Sequence, residues 1–102
     1  MKSEITFGYL NEGVYDRVML FVDYREQCSM LYKVGKNKDR IYLYDFFNCG
    51  DDVNVLGCEL LVKEIANGFN KVFIEENFNR NYGSIIRGVL NASVITTYTI
   101  EK

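Results

Sequence analysis

The sequence predicts a single α+β domain spanning residues 1–102, built as an antiparallel β-meander with two helices inserted before a C-terminal strand, in the order ββββααβ. Three observations predict it. Residues 4–46 fall into short runs rich in β-branched and aromatic side chains, separated by turn residues. After Gly50 the apolar spacing changes from two to three-to-four, the period of a helix. The tail from Ser93 to Ile100 returns to threonine and β-branched residues.

The elements follow in order. Glu4 to Leu10 partly alternates polar and apolar residues, and Asn11-Glu12-Gly13 then punctuates it as a tight turn. In Val14 to Tyr24, Val18, Leu20 and Val22 share one face and Met19 and Phe21 the other, as in a central strand. A polar break at Arg25-Glu26-Gln27 precedes a third run, Cys28 to Val34. The loop Gly35-Lys36-Asn37-Lys38-Asp39 then connects to a fourth, Arg40 to Phe46, with Ile41 and Leu43 facing one way and Tyr42 and Tyr44 the other. Asp51 or Asp52 is placed to cap a helix in which Leu56, Leu60, Leu61 and Ile65 recur at helical spacing, and Asn67-Gly68 stops it. Phe69 to Phe78 carries no clear period: Lys71-Val72-Phe73-Ile74 reads as a short strand or as a loop whose aromatics anchor it on the core, and the stretch is expected to be irregular. Ser84 then reads as the N-cap of a shorter helix with Ile85, Ile86, Val89 and Leu90 on one face.

Bulk properties narrow the chemistry. A chain of 102 residues, 48% hydrophobic and 25% charged, has the make-up of one globular core. Twelve basic and fourteen acidic side chains leave a net charge of -2, so no surplus positive field exists for duplex nucleic acid, although a local basic patch remains open. Three cysteines cannot all pair within one chain, which points to a reducing, cytoplasmic setting. No apolar run approaches the ~20 residues of a membrane span.

The chain has no histidine, which removes Ser-His and Cys-His nucleophile pairs, imidazole bases and histidine metal ligands. Cys28, Cys49 and Cys58 match no zinc spacing and read as small buried hydrophobes. The pairs Asp51-Asp52 and Glu75-Glu76 read as a helix cap and a solvated loop rather than acid-base or metal sites. No catalytic residue, metal or cofactor is expected.

One segment, Asn77 to Arg87, sets cationic and polar groups beside the expected helix start at Ser84. Free backbone amides there attract anions. Arg80 and Arg87 are placed to fork onto phosphate oxygens, Gly83 lets the backbone approach closely, and Phe78 or Tyr82 can stack on a base. Phe78, Arg80, Tyr82, Gly83, Ser84 and Arg87 are therefore the candidate ligand-binding set, for a small anionic nucleotide. An ordinary capped helix with surface arginines fits the same residues. The tyrosines at 15, 24, 32, 42, 44 and 98 fall mostly in strands, and several belong on the sheet face away from the helices, a candidate oligomer or partner contact.

In size, in its meander-plus-helices order and in the segment Tyr82-Gly83-Ser84-Ile85-Ile86-Arg87-Gly88, the chain resembles the phage-encoded anti-Thoeris proteins, which sequester cyclic ADP-ribose signals without cleaving them. The resemblance implies a non-enzymatic anti-defence homo-oligomer of the host cytoplasm, binding a doubly phosphorylated adenine nucleotide in pockets shared between subunits. The alternative is a small protein-interaction inhibitor of a host defence protein, comparable to an anti-CRISPR, whose acidic balance suits a basic partner groove. A nuclease or phosphodiesterase is the third reading. Without histidine it needs a carboxylate-metal site that these scattered acids do not form.

Overall fold

The computed structural model describes residues 3–50 and 54–98. The meander is present as β1 (Ile5–Glu12), β2 (Tyr15–Val22), β3 (Arg25–Val34) and β4 (Arg40–Asn48), each antiparallel to the one before. Helix α1 (Val55–Ala66) then leads to β5 (Lys71–Glu75). Helix α2 (Glu76–Val89) and a single 3-10 turn at Ala92–Val94 lead to β6 (Ile95–Tyr98). All six strands form one sheet in sequential order, with β5 parallel to β4 and β6 parallel to β5.

The α+β class holds, but the order ββββααβ is corrected to ββββαβαβ, because the stretch expected to be irregular contains β5. Its alternation, with Val72 and Ile74 buried and Phe73 half-buried, is only five residues long and is followed at once by a polar run. Parallel pairing needs a helical crossover on each side of β5, and α1 and α2 supply them. Both crossovers travel the same way across the sheet, so a common hand puts both helices on one face. There α1 rests over β2 and β3, and α2 over β4, β5 and β6.

The core lies between helices and sheet. Val18, Leu20, Cys28, Met30, Ile41, Leu43, Val72 and Ile74 meet Cys58, Leu61, Val62, Ile65, Phe78 and Ile86, all buried. Leu56, expected among them, is 65% exposed, because the buried stripe of α1 runs through Cys58, Leu61, Val62 and Ile65. Asn54 caps that helix, accepting from Gly57 N at 2.7 Å. The expected caps Asp51 and Asp52 lie outside the described residues. The stop at Asn67-Gly68 is as expected, with Gly68 at φ +98°, where a side chain is strained.

Two irregularities shape the opposite face. The β2–β3 connection is a two-residue turn at Asp23 and Tyr24, both at positive φ, so β2 ends at Val22 and β3 begins at Arg25. In β4, Leu31 pairs with Asp45 and Tyr32 with Leu43, which leaves Tyr44 as an extra residue. That bulge resets the alternation, so Ile41, Leu43 and Phe46 all reach the core while Tyr42, Tyr44 and Phe47 stay on the far side.

Candidate functional site

Helix α2 begins at Glu76, eight residues before the expected cap. Glu75 ends β5 and caps the helix, its Oε2 accepting from Asn77 N at 2.8 Å and Phe78 N at 3.1 Å. Ser84 is consequently an exposed residue inside the helix, where its amide belongs to the helical ladder, and the expected N-cap role is corrected. The amides at the true start already have an acceptor in Glu75.

The candidate side chains do not converge. Phe78 is buried in the core with no free face for a base, and Tyr82 is half-buried, packed edge-on against Phe78 and Phe46. Arg80 points to solvent with 70% of its side chain exposed and pairs with Glu76 at 3.6 Å. Arg87 donates from Nη1 to Asn79 Oδ1 at 2.6 Å. A Cβ on Gly83 would collide with both partners of that bond, so the glycine lets the helix surface carry the bond rather than a ligand. The geometry matches the ordinary capped helix with surface arginines.

The sheet face opposite the helices is different. No described helix or strand covers it, and it carries Tyr15, Tyr42, Tyr44, Phe73 and Tyr98 in continuous ring contact. Tyr42 stacks on Phe73 with centroids 4.9 Å apart, and Tyr15 meets Tyr44 edge-on at 4.2 Å. The Tyr98 hydroxyl is buried beside that of Tyr44 without a well-formed hydrogen bond among the described residues, and burial raises its pKa. Tyr32 instead shares the helix face with Leu43, and Tyr24 sits exposed in the β2–β3 turn.

At one end this face opens into a cleft of about 320 Å³ lined by Lys33, Val34, Gly35, Lys36, Tyr42 and Tyr44. Lys33 lies opposite Tyr42 in the β3–β4 register, which sets an ammonium beside a phenol. The hairpin is closed by Gly35 N bonding to Arg40 O at 2.9 Å and Lys38 N to Gly35 O at 2.9 Å. Gly35 is bare for a reason: a Cβ there would run into the Arg40 side chain, which lies across the hairpin neck with its guanidinium 5.7 Å from the Phe73 ring centre.

Charge gathers at the same end. Lys33, Lys36, Lys38, Arg40 and Lys71, five of the twelve basic residues, surround the hairpin, while Asp39 is tied to Arg40 at 3.2 Å. An acidic chain thus carries a local basic patch, as the sequence left open. Sequence reasoning missed the cleft because Lys33 and Tyr44 are eleven positions apart and meet only through the register of β3 on β4. The alternation of Tyr42 and Tyr44 against Ile41 and Leu43 was the available signal.

Among the described residues no three histidine, cysteine, aspartate or glutamate side chains come together to hold a metal ion, and no helix is long and apolar enough to cross a membrane. A second, polar cleft of about 340 Å³ lies at the opposite end of the meander, lined by Arg25, Glu26, Gln27, Asn48, Cys49, Gly50 and Asn54. No protein-family model, curated protein or solved structure matches the chain.

Proposed function

We propose that the chain is a binding module that captures a small anionic, ring-bearing ligand of the nucleotide class and releases it unchanged, with the ligand held in the Lys33–Tyr44 cleft rather than on α2. The observation that carries this reading is the meeting of two lysines and two tyrosines in one cleft on an uncovered sheet face. Its volume lies near the lower end of the ~300–1,000 Å³ of small-molecule sites. Lys33 and Lys36 offer three N–H donors each to phosphate oxygens. Tyr42 and Tyr44 line the same space, and their aromatic rings suit contact with a base or ribose. A cyclic ADP-ribose-like signal belongs to this class, and sequestering it would be the anti-defence activity.

The test is thermal unfolding with a panel of linear and cyclic nucleotides, cyclic ADP-ribose included. A captured ligand at a hundred times its Kd adds about 2.7 kcal/mol of stability. The shift should vanish in Lys33→Ala/Lys36→Ala and persist in Arg80→Ala/Arg87→Ala. Chromatography of the ligand after denaturation should recover it intact. Absence of any shift across the panel, or a shift that survives loss of both lysines, overturns the proposal.

A further inference from the structure

We propose that β1 is a docking edge for an extended, lysine- or arginine-bearing segment of a partner protein, which adds to the sheet as a seventh strand. Strand β1 stands at the end of the sheet and pairs with β2 through all eight of its residues without a bulge. Its other side has no described strand beside it, so a full row of main-chain donors and acceptors faces outward. Edge strands are normally blunted by lysine, proline, a bulge or shortness. Strand β1 has no lysine, proline or bulge and runs eight residues, and its one charge, Glu12, stands at its end, tied to Arg17.

Its side chains are arranged for contact. Ile5 is 50% exposed, Tyr9 56% and Leu10 51%, with Ile5 and Tyr9 on the helix side and Leu10 on the aromatic side. A strand laid alongside would find apolar partners on both faces, which is the recognition mode of strand addition. Gly8 keeps the middle of the edge flat: a Cβ there would lie 2.9 Å from the Phe21 ring.

The charge of the rim selects the occupant. Glu12 is on β1, Glu4 directly precedes it and donates its amide to Asp23, and Asp16 and Glu64 accept from Asn11 and Tyr9 of the strand, while Glu12 holds Arg17 at 2.5 Å. Glu64 accepts from the Tyr9 hydroxyl and so brings its carboxylate to the edge. A second copy of this chain fits poorly, because pairing β1 to itself about Gly8 sets Glu4 opposite Glu12 twice, and like charges across a ladder destabilise it. A cationic strand meets the same carboxylates favourably. The inference is independent of the ligand cleft, which lies on β3 and β4.

The experiment uses the full chain with two fluorescent hexapeptides, one alternating lysine and valine, the other glutamate and valine. Anisotropy should show the lysine peptide binding and the glutamate peptide not binding. Hydrogen exchange should slow by about tenfold in the amides of Ile5–Glu12 and not elsewhere. Glu4→Lys/Leu10→Lys should weaken binding by about tenfold with an unchanged urea midpoint, and Glu4→Lys alone serves if the double variant unfolds. Equal binding of both peptides, or protection away from β1, overturns the inference. So does a concentration-dependent dimer in sedimentation that Tyr9→Lys abolishes, since a second copy would then be the occupant.

Discussion

Arg87 reaches back two turns along α2 to Asn79, and the 2.6 Å hydrogen bond between them passes directly over the bare backbone of Gly83. Two features that suggest a phosphate cradle in the sequence, Gly83 and Arg87, are instead joined in one local arrangement with Asn79.

That relationship sets the outcome of Gly83→Ala. The new methyl displaces the Arg87–Asn79 bond, a loss of about 1 kcal/mol. Alanine also gains about 1 kcal/mol over glycine inside a helix. Denaturant unfolding should therefore place Gly83→Ala within about 1 kcal/mol of the parent, and a loss above about 2 kcal/mol would mean that the bond or the packing over Gly83 matters more than this geometry implies. Nucleotide binding should be untouched.

Phe78 and Arg80, two residues apart, should behave oppositely. Phe78 is 2% exposed and packs on Tyr82, so Phe78→Ala should cost about 3–5 kcal/mol. Arg80→Ala removes an exposed pair with Glu76 and should change stability by less than about 0.5 kcal/mol. Urea midpoints measure both, and a large loss in Arg80→Ala would show that the arginine has a structural partner beyond Glu76.

Much of the architecture was legible in the sequence because alternation and turn residues agree along Ile5–Glu12, Tyr15–Val22 and Arg40–Asn48. The β2–β3 turn was not, since Asp23 and Tyr24 take positive φ without the glycine or asparagine that usually signals it. Strand β5 stays ambiguous in the sequence, because whether Lys71–Ile74 is strand or loop depends on pairing with Arg40–Leu43, thirty-one positions away. The start of α2 was hidden because its first turns are polar and its cap, Glu75, is not among the usual capping residues. Ser84, with the apolar spacing of Ile85, Ile86 and Val89 after it, mimics a helix start where the structure has the middle of α2. The aromatic sheet face, by contrast, followed from simple alternation, and Tyr15, Tyr42, Tyr44 and Tyr98 are on it.

Tyr9 predicts an alkaline limit to stability. Burial and its hydrogen bond to Glu64 raise its pKa from 10.0 to about 12. The folded state thus holds the phenol proton more tightly than the unfolded state. The stabilisation is complete below the unfolded value of 10.0 and is lost as pH rises through about 12. Thermal midpoints should fall across that window, less steeply in Tyr9→Phe than in the parent. Parallel curves for the two proteins would mean that the Tyr9–Glu64 bond does not persist in solution.

The thiols should separate into one accessible and two silent groups. Cys28 and Cys58 are buried, and burial pushes their pKa values up to about 11 and about 12. Neither forms thiolate near neutral pH, and neither should react with a thiol reagent until the chain unfolds. Cys49 is exposed, but its Sγ donates to Glu26 Oε2 at 3.1 Å, a bond that favours the protonated thiol and raises its pKa. Native protein should therefore label slowly at one site, with two further equivalents appearing in denaturant. Replacing the carboxylate by Glu26→Gln removes the negative charge beside the sulfur, so labelling of Cys49 should accelerate at fixed pH. An unchanged rate in that variant would show that Glu26 does not hold the thiol, and native labelling of all three cysteines would show that the helix-to-sheet core opens far more readily than its packing implies.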